Sequence, residues 1–242
     1  MRILSWNTAF GRGTAAAIKL ANNLDVDAVL LQEAAPGELW QGTLTGDNVP
    51  GREWGSWVLL RHRTIEPIPI DGYAGWVSGG RWLGEAAASV TGIFLFSVHS
   101  PTPNATARRR SYVAESRRIV SAICEAVPST AHLVIGGDFN FKSFGNRIGS
   151  EVVRSDAAEL KVLAAFRSLG LSNVWQDCHP GEPLPQTLRW KGSPSTPYHC
   201  DGFLMRGWND AKVACEVMQD ETVVDHSDHN PVLLEISLHP AG

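Results

Sequence analysis

Ala28-Val29-Leu30-Leu31-Gln32-Glu33 runs through four apolar residues without a polar break and then stops at an amide and a carboxylate. A run of this kind predicts a strand buried on both faces, since a strand with one wet face would alternate apolar and polar residues. The strand therefore belongs at the centre of a sheet and carries Glu33 at its C-terminal end. Upstream, Arg2 to Trp6 reads as a first strand. Between the two, Ala17, Leu20, Ala21 and Leu24 recur at the spacing of one helix face, so the chain opens with a strand, helix and strand.

Further along, Gly and Pro punctuate a series of short strands, expected at Trp57 to Leu60, Ile65 to Ile70, Gly75 to Val77, Ala86 to Val90 and Ile93 to Val98. A helix is expected over roughly Ala107 to Val127, where Val113, Val120, Cys124 and Val127 share a face before Pro128. The strand Leu133 to Ile135 leads into Gly136-Gly137-Asp138, and a second helix is expected from Ser155 to Leu169, closed by Gly170. Strands return at Thr187 to Trp190, Cys200 to Met205, Ala211 to Met218 and Val232 to Ile236. Two blocks of strands, each with one or two helices, predict a four-layer α/β sandwich: two mixed β-sheets packed face to face with helices on the outside. The stretches Ala34 to Arg52 and Cys178 to Pro197 are expected to be surface loops near the site.

The 242 residues suit one large domain, 1–242, with no compositional break to serve as a linker. A net charge of -4 argues against binding nucleic acid by bulk electrostatics, while leaving room for a local basic patch. The cysteines, Cys124, Cys178, Cys200 and Cys215, form no CxxC pair, so neither a zinc site nor a disulfide framework is indicated. The start, Met1 to Asn7, turns polar too soon for a signal peptide, and no apolar run is long enough for a membrane span. A cytoplasmic protein is expected, with no membrane partner; the sequence is silent on its oligomeric state.

Short polar motifs sit at the ends of the predicted strands: Ser5-Trp6-Asn7, Leu31-Gln32-Glu33, Val98-His99-Ser100-Pro101, Gly137-Asp138-Phe139-Asn140, Cys200-Asp201-Gly202-Phe203 and Ser227-Asp228-His229-Asn230-Pro231. Each alone has an ordinary explanation. Glu33 and Asp138 are strand-end carboxylates that could simply face water, Asn7 a turn residue, Asp201 and Asp228 loop caps, and His229 a buried His with its bonds satisfied. Jointly and in this order, they resemble the signature set of the endonuclease/exonuclease/phosphatase superfamily, from Arg2 to near Ser237.

Hydrolysis of a phosphate ester needs a Lewis acid, an oriented water, and donors to the non-bridging oxygens. Glu33 is a hard oxygen ligand of the type Mg²⁺ or Mn²⁺ takes, with Asn7 and Asp228 as further candidates. The i, i+2 spacing of Asp138 and Asn140 puts both side chains on one side if the backbone is extended, with Phe139 turned inward. The resemblance implies that Asp138 positions or deprotonates the water and Asn140 holds the phosphate. His229 is the candidate phosphate-contacting imidazole or base. By the same resemblance Asp201 is its carboxylate partner and His99 a second imidazole of the deoxyribonuclease-like and sphingomyelinase-like branches.

The run Arg108-Arg109-Arg110, with Arg117 and Arg118, is a candidate contact for a polyanion, although a charged solvent face of a helix is its default explanation. Trp40, Trp54, Trp82 and Trp190 fall near loops and are candidates for stacking on a ring. His62, His132, His179, His199, His226 and His239 show no metal-ligand spacing and are expected at the surface or behind the site.

The expected activity is a divalent-metal-dependent nuclease. The alternatives are a phosphatase or phosphodiesterase on a small phosphate ester or lipid headgroup, such as an inositol-phosphate or sphingomyelin-like substrate, and a catalytically silent binding protein on the same fold. The last is disfavoured because Glu33, Asp138, Asn140, Asp201, Asp228 and His229 are all present.

Overall fold

A computed structural model describes residues 1–83, 92–101, 112–141, 157–189, 198–219 and 221–238. Twelve strands among these form two sheets of six. The first holds β1 (Arg2–Asn7), β2 (Ala28–Ala34), β3 (Thr43–Asn48), β4 (Gly55–Leu60), β11 (Ala211–Val217) and β12 (Val232–Leu238), in the order β11-β12-β1-β2-β4-β3. The second holds β5 (Thr64–Pro67), β6 (Val77–Leu83), β7 (Ile93–His99), β8 (His132–Asp138), β9 (Ser172–Asn173) and β10 (Asp201–Arg206), in the order β5-β6-β7-β8-β10-β9. Both sheets are mixed: β1 runs parallel to β2 and β7 parallel to β8, and the other pairings are antiparallel.

The parallel pairs arise because a helix separates their strands, α1 (Thr14–Asn23) between β1 and β2 and α2 (Tyr112–Ala126) between β7 and β8. Burial on both faces follows. Ile3, Leu30, Leu95 and Val134 point into the space between the sheets, where they meet Val58, Phe203, Leu234 and Ile236. Their neighbours point outward: Leu4, Leu31 and Leu59 onto Ala17, Ile18 and Ala21 of α1, and Phe94, Phe96, Leu133 and Ile135 onto Ile119 and Ile123 of α2 and Phe166 of α3 (Ala157–Ser168). The order helix, sheet, sheet, helix is the four-layer sandwich expected from the apolar runs. Two short helices, α4 (Val174–Cys178) and α5 (Glu221–Val224), complete the described elements. Among the described residues no helix is long and apolar enough to cross a membrane.

Some expectations need correction. Ala34 to Arg52 is not one loop: it contains a 3₁₀ turn at Gly37–Leu39 and the edge strand β3. Thr43-Leu44-Thr45-Gly46-Asp47-Asn48 lacks apolar alternation because neither face of this edge strand is fully covered. Residues 75 and 76 form a turn, and the strand starts at Val77 and runs on to Leu83. In the segment expected as a strand from Thr187 to Trp190, only Leu188 bridges among the described residues, to Tyr198 and to His229. Ala86 to Val90, the start of the helix expected from Ala107, before Tyr112, and the start of the one expected from Ser155, before Ala157, lie outside the described residues.

The sheets come very close beneath Asp138. A β-carbon on Gly136 would lie 2.6 Å from the Phe203 ring and 2.8 Å from Leu30 Cδ1, and one on Gly137 (φ +151) would lie 1.9 Å from the Val98 carbonyl oxygen. Gly137→Ala is therefore expected to destabilise the protein by about 3 kcal/mol or more, through backbone strain and a clash that only main-chain movement relieves. Urea unfolding measures it; a change below about 0.5 kcal/mol, the size of an ordinary surface substitution, would contradict this packing.

Candidate active site

The C-terminal ends of the two parallel pairs meet at one edge of the sandwich. Asn7 ends β1, Glu33 stands next to last in β2, His99 ends β7 and Asp138 ends β8. In an α/β sheet this is where ligand crevices form. His99 pairs across the ladder with Asp138, and Asp138 with Asp201 at the start of β10. His229 comes from the loop before β12 and is tied to the first sheet, its carbonyl accepting from Trp6 Nε1 at 2.9 Å.

The β2–β4 register shifts between Leu31 and Ala34, and within that bulge Glu33 takes a left-handed backbone, φ 50. Its Oε2 accepts from the Phe10 amide at 2.9 Å, and its carbonyl accepts from Gly11 N at 2.6 Å and Thr8 Oγ1 at 3.0 Å. These bonds hold a conformation that costs a non-glycine residue about 1 kcal/mol or more. Underneath, Gln32 Nε2 donates to Ser97 Oγ at 3.0 Å and Ser97 Oγ donates to the Leu31 carbonyl at 2.8 Å, a polar tie between the inner faces of the two sheets.

Asp138 is buried. Its Oδ2 accepts from Asn7 Nδ2 at 3.0 Å and its Oδ1 from the Asn140 amide at 2.9 Å. Asn7 Nδ2 also stands 3.5 Å from Glu33 Oε1, while Asn7 Oδ1 accepts from Ala9 N at 3.0 Å. Asn7 thus presents its nitrogen, not its oxygen, to the two carboxylates. Phe139 is buried as expected. The extended backbone on which the Asp138 and Asn140 alignment was conditioned is not found, because Asn140 is left-handed (φ 55) and its Nδ2 donates to the Ser100 carbonyl at 2.9 Å.

His229 Nδ1 lies 2.9 Å and 3.1 Å from the two oxygens of Asp201, and its Nε2 lies 3.9 Å from Asp138 Oδ2. Thr187 Oγ1 accepts from the Cys200 and Asp201 amides, fixing the strand that presents Asp201. Burial alone would push the His229 imidazolium toward its neutral form. The carboxylates of Asp201 and Asp138 outweigh it and raise the pKa to about 10, so the ring carries a proton on both nitrogens. His99 Nε2 lies 3.5 Å from Glu33 Oε1 and 3.9 Å from Asp138 Oδ2, which would be ion-pair geometry if the ring were charged. It is not: burial, with the positive His229 adding to it, lowers the His99 pKa to about 3, and the contact is one of a neutral ring. Its Nδ1 is buried with no hydrogen-bond partner among the described residues.

Burial and the Asp201 charge raise the Asp138 pKa to about 7, and burial likewise raises that of Glu33. Two hard carboxylates, Asp138 buried and Glu33 partly so, each held against its preferred ionised form, are a donor set that a divalent cation would suit. Cys200, Asp201 and His229 also cluster, within 4.8 Å. They are a poor metal site, because both Asp201 oxygens serve His229 Nδ1, and burial pushes the Cys200 thiol well up so that it keeps its proton.

The remaining expected residues are more scattered. Asp228 lines a shallow hollow with Arg12, Arg189 and His226; its charge reaches Glu33, and its carbonyl accepts from Arg189 N at 2.7 Å. Arg108, Arg109, Arg110 and Trp190 lie outside the described residues. Trp40 and Trp82 are core residues, each within an apolar cluster. Trp54 does stand at the site, its ring centroid 5.7 Å from that of His99. Trp76, 5.2 Å from His99, and Phe10, 5.6 Å from Trp54, were not singled out by sequence. An apolar residue in the Gly-rich stretch straight after the Asn7 motif was the available signal for Phe10. His199 is buried behind the site, with Nδ1 2.8 Å from the Pro185 carbonyl.

The model of the Endonuclease/Exonuclease/phosphatase family matches residues 4–221. No curated protein sequence matches the chain. An AP endonuclease from Archaeoglobus fulgidus has the same fold, with a TM-score of 0.71 at 14% identity over 98% of this chain and 100% of that one. The endonuclease domain of TRAS1, a telomere-specific non-LTR retrotransposon, gives a TM-score of 0.68 at 16% identity, with 98% of each chain covered. An endonuclease/exonuclease/phosphatase from Bacteroides vulgatus gives 0.68 at 14%, again over 98% of each. At these identities the likeness is one of fold.

Proposed function

The chain belongs to the endonuclease/exonuclease/phosphatase family, and from that premise we propose that it is a nuclease, hydrolysing phosphodiester bonds of nucleic acid by attack of water. The observation that carries the proposal is the pairing of opposite protonation states 3.9 Å apart: Asp138, poised near neutrality, and His229, held as imidazolium by Asp201. A base and a donor of separated pKa at one point is what hydrolysis of a phosphate ester requires.

In this reading Asp138 takes the proton of the attacking water, and Asn7 and the Asn140 amide hold its carboxylate in place. His229 Nε2–H donates to a non-bridging oxygen of the phosphate, which gains charge in the transition state. Asn140 and neutral His99 line the same phosphate. Glu33 would hold a divalent ion, Mg²⁺ or Mn²⁺, with Asp228 nearby and Asn7 orienting the carboxylates. When bound, that ion supplies charge neutralisation at the phosphate and brings both carboxylates to their ionised forms. Nucleic acid is preferred as substrate because the related folds are named for endonucleases and because the rim of the site is aromatic.

The test is cleavage of single- and double-stranded DNA, RNA and small phosphate esters with Mg²⁺ or Mn²⁺. EDTA and Glu33→Ala are each expected to lower polynucleotide turnover by about a thousandfold or more. Turnover of small esters only would transfer the site to a phosphatase. No metal-dependent turnover of any ester would leave the catalytically silent binding protein.

A further inference from the structure

Beside the Glu33 and Asp138 carboxylates, one rim carries apolar surface for which the hydrolytic residues have no use. Phe10 is 64% exposed. Both Ala9 (φ 52) and Phe10 (φ 60) adopt the left-handed backbone that residues with a β-carbon seldom take. The site itself imposes this shape, since Asn7 Oδ1 accepts from Ala9 N at 3.0 Å and Glu33 Oε2 from Phe10 N at 2.9 Å. The carboxylate that faces His99 therefore also fixes the backbone from which the Phe10 ring projects.

That ring meets Trp54 edge-on, at 5.6 Å and 61°. Trp54 is half-buried, with its ring 5.8 Å from Trp76 and the Arg52 guanidinium 5.9 Å above it. None of Phe10, Trp54 and Trp76 belongs to the three apolar clusters of the fold. Their rings are thus not spent on the core, and Phe10 has no ring contact with His99 among the described residues.

We propose that Phe10 and Trp54, backed by Trp76 and Arg52, form a subsite that stacks on the nucleobase adjoining the scissile phosphate, an inference that rests on the nuclease activity proposed above. An exposed planar ring on a backbone tied to the cluster suits a flat aromatic partner attached to the reacting phosphate. Stacking on a base face asks for no particular sequence. Arg52 adds a positive charge for the neighbouring phosphate and a cation over the Trp54 face.

Dinucleoside monophosphates contain a single diester, so the cleaved bond is known. Each is compared with analogues in which one nucleoside is replaced by a baseless tetrahydrofuran unit. The wild-type protein is expected to favour the base-bearing diester by roughly 10- to 100-fold in kcat/KM over the analogue lacking the base on the stacked side. In Phe10→Ala and Trp54→Ala that ratio should fall toward one, and Phe10→Tyr should restore it. Phe10 can be shortened with little loss beyond its edge contact with Trp54, because it is exposed. A ratio unaltered in Phe10→Ala, or a loss equal for both substrates, overturns the proposal.

A second readout needs no turnover. Titrating the protein with a dinucleoside monophosphate in EDTA should quench tryptophan fluorescence, and Trp54→Phe should remove that component from the signal of the nine tryptophans. Quenching that depends on Trp54 and Phe10, together with no diester cleaved when Mg²⁺ or Mn²⁺ is supplied, would end the nuclease reading and leave the stacking site standing. Quenching indifferent to both residues overturns the stacking site.

Discussion

Asp138→Asn should lower kcat by about a thousand- to ten-thousand-fold and leave the circular dichroism spectrum of the folded protein in place. Asn at 138 keeps an oxygen for the Asn140 amide, loses only the bond from Asn7 Nδ2, and can no longer accept a proton from water. One electrostatic effect works in the variant's favour. The folded-state pKa of Asp138, about 7, lies above the ordinary 3.8, so the folded protein holds a proton that the unfolded chain has lost. Its contribution to stability is therefore favourable at low pH and is lost as pH rises from about 4 to about 7. Metal-free wild type should lose stability across that window, and Asp138→Asn should lose less. Near-native turnover by Asp138→Asn would remove Asp138 from the proton transfer.

His229→Asn is expected to lower kcat roughly a thousandfold. Asn is preferred to Ala because its amide can still donate toward Asp201, and an unpaired buried carboxylate costs several kcal/mol. Asp201→Asn should have a smaller effect on rate and a larger one on pH dependence. His229 is raised from 6.5 to about 10, so its contribution to stability is complete below about 6.5 and vanishes as pH climbs to about 10. Removing the Asp201 charge pulls that upper limit down. NMR titration of the ring in metal-free protein reads it directly. An imidazole resonance that titrates unchanged in Asp201→Asn would sink the assignment of Asp201 as the group that charges His229.

The layers of the fold were legible because the strands are buried on both faces: Leu30 with Leu31, and Leu133 with Val134, had no polar alternation to confuse the pattern. The edge was not legible. β3 presents Thr, Gly, Asp and Asn because it is half wet, and such residues read as a turn. At the site, motif residues at strand ends converge because parallel strands deliver their C-termini to the same side, and this direction is implicit in the helices between them. Sequence spacing could not give the left-handed turns at Glu33 and Asn140, or the outward presentation of Phe10, since these depend on hydrogen bonds to residues far along the chain. Trp40 and Trp82 show the converse: a Trp flanked by loop-like residues can still be sealed in a core.

The strand order has a bearing on folding. β1 lies between β2 and β12, so the first strand acquires one of its two neighbours only from the far end of the chain, and Trp6 holds His229 across 223 residues. The second sheet can be completed between β5 and β10, but His229 cannot be in position until β12 docks. Contacts of such high sequence separation form late and slowly. In refolding, hydrolytic activity should thus return as the last kinetic phase, behind the recovery of sheet signal, and a partly synthesised chain would carry Glu33 and Asp138 without His229 beside them.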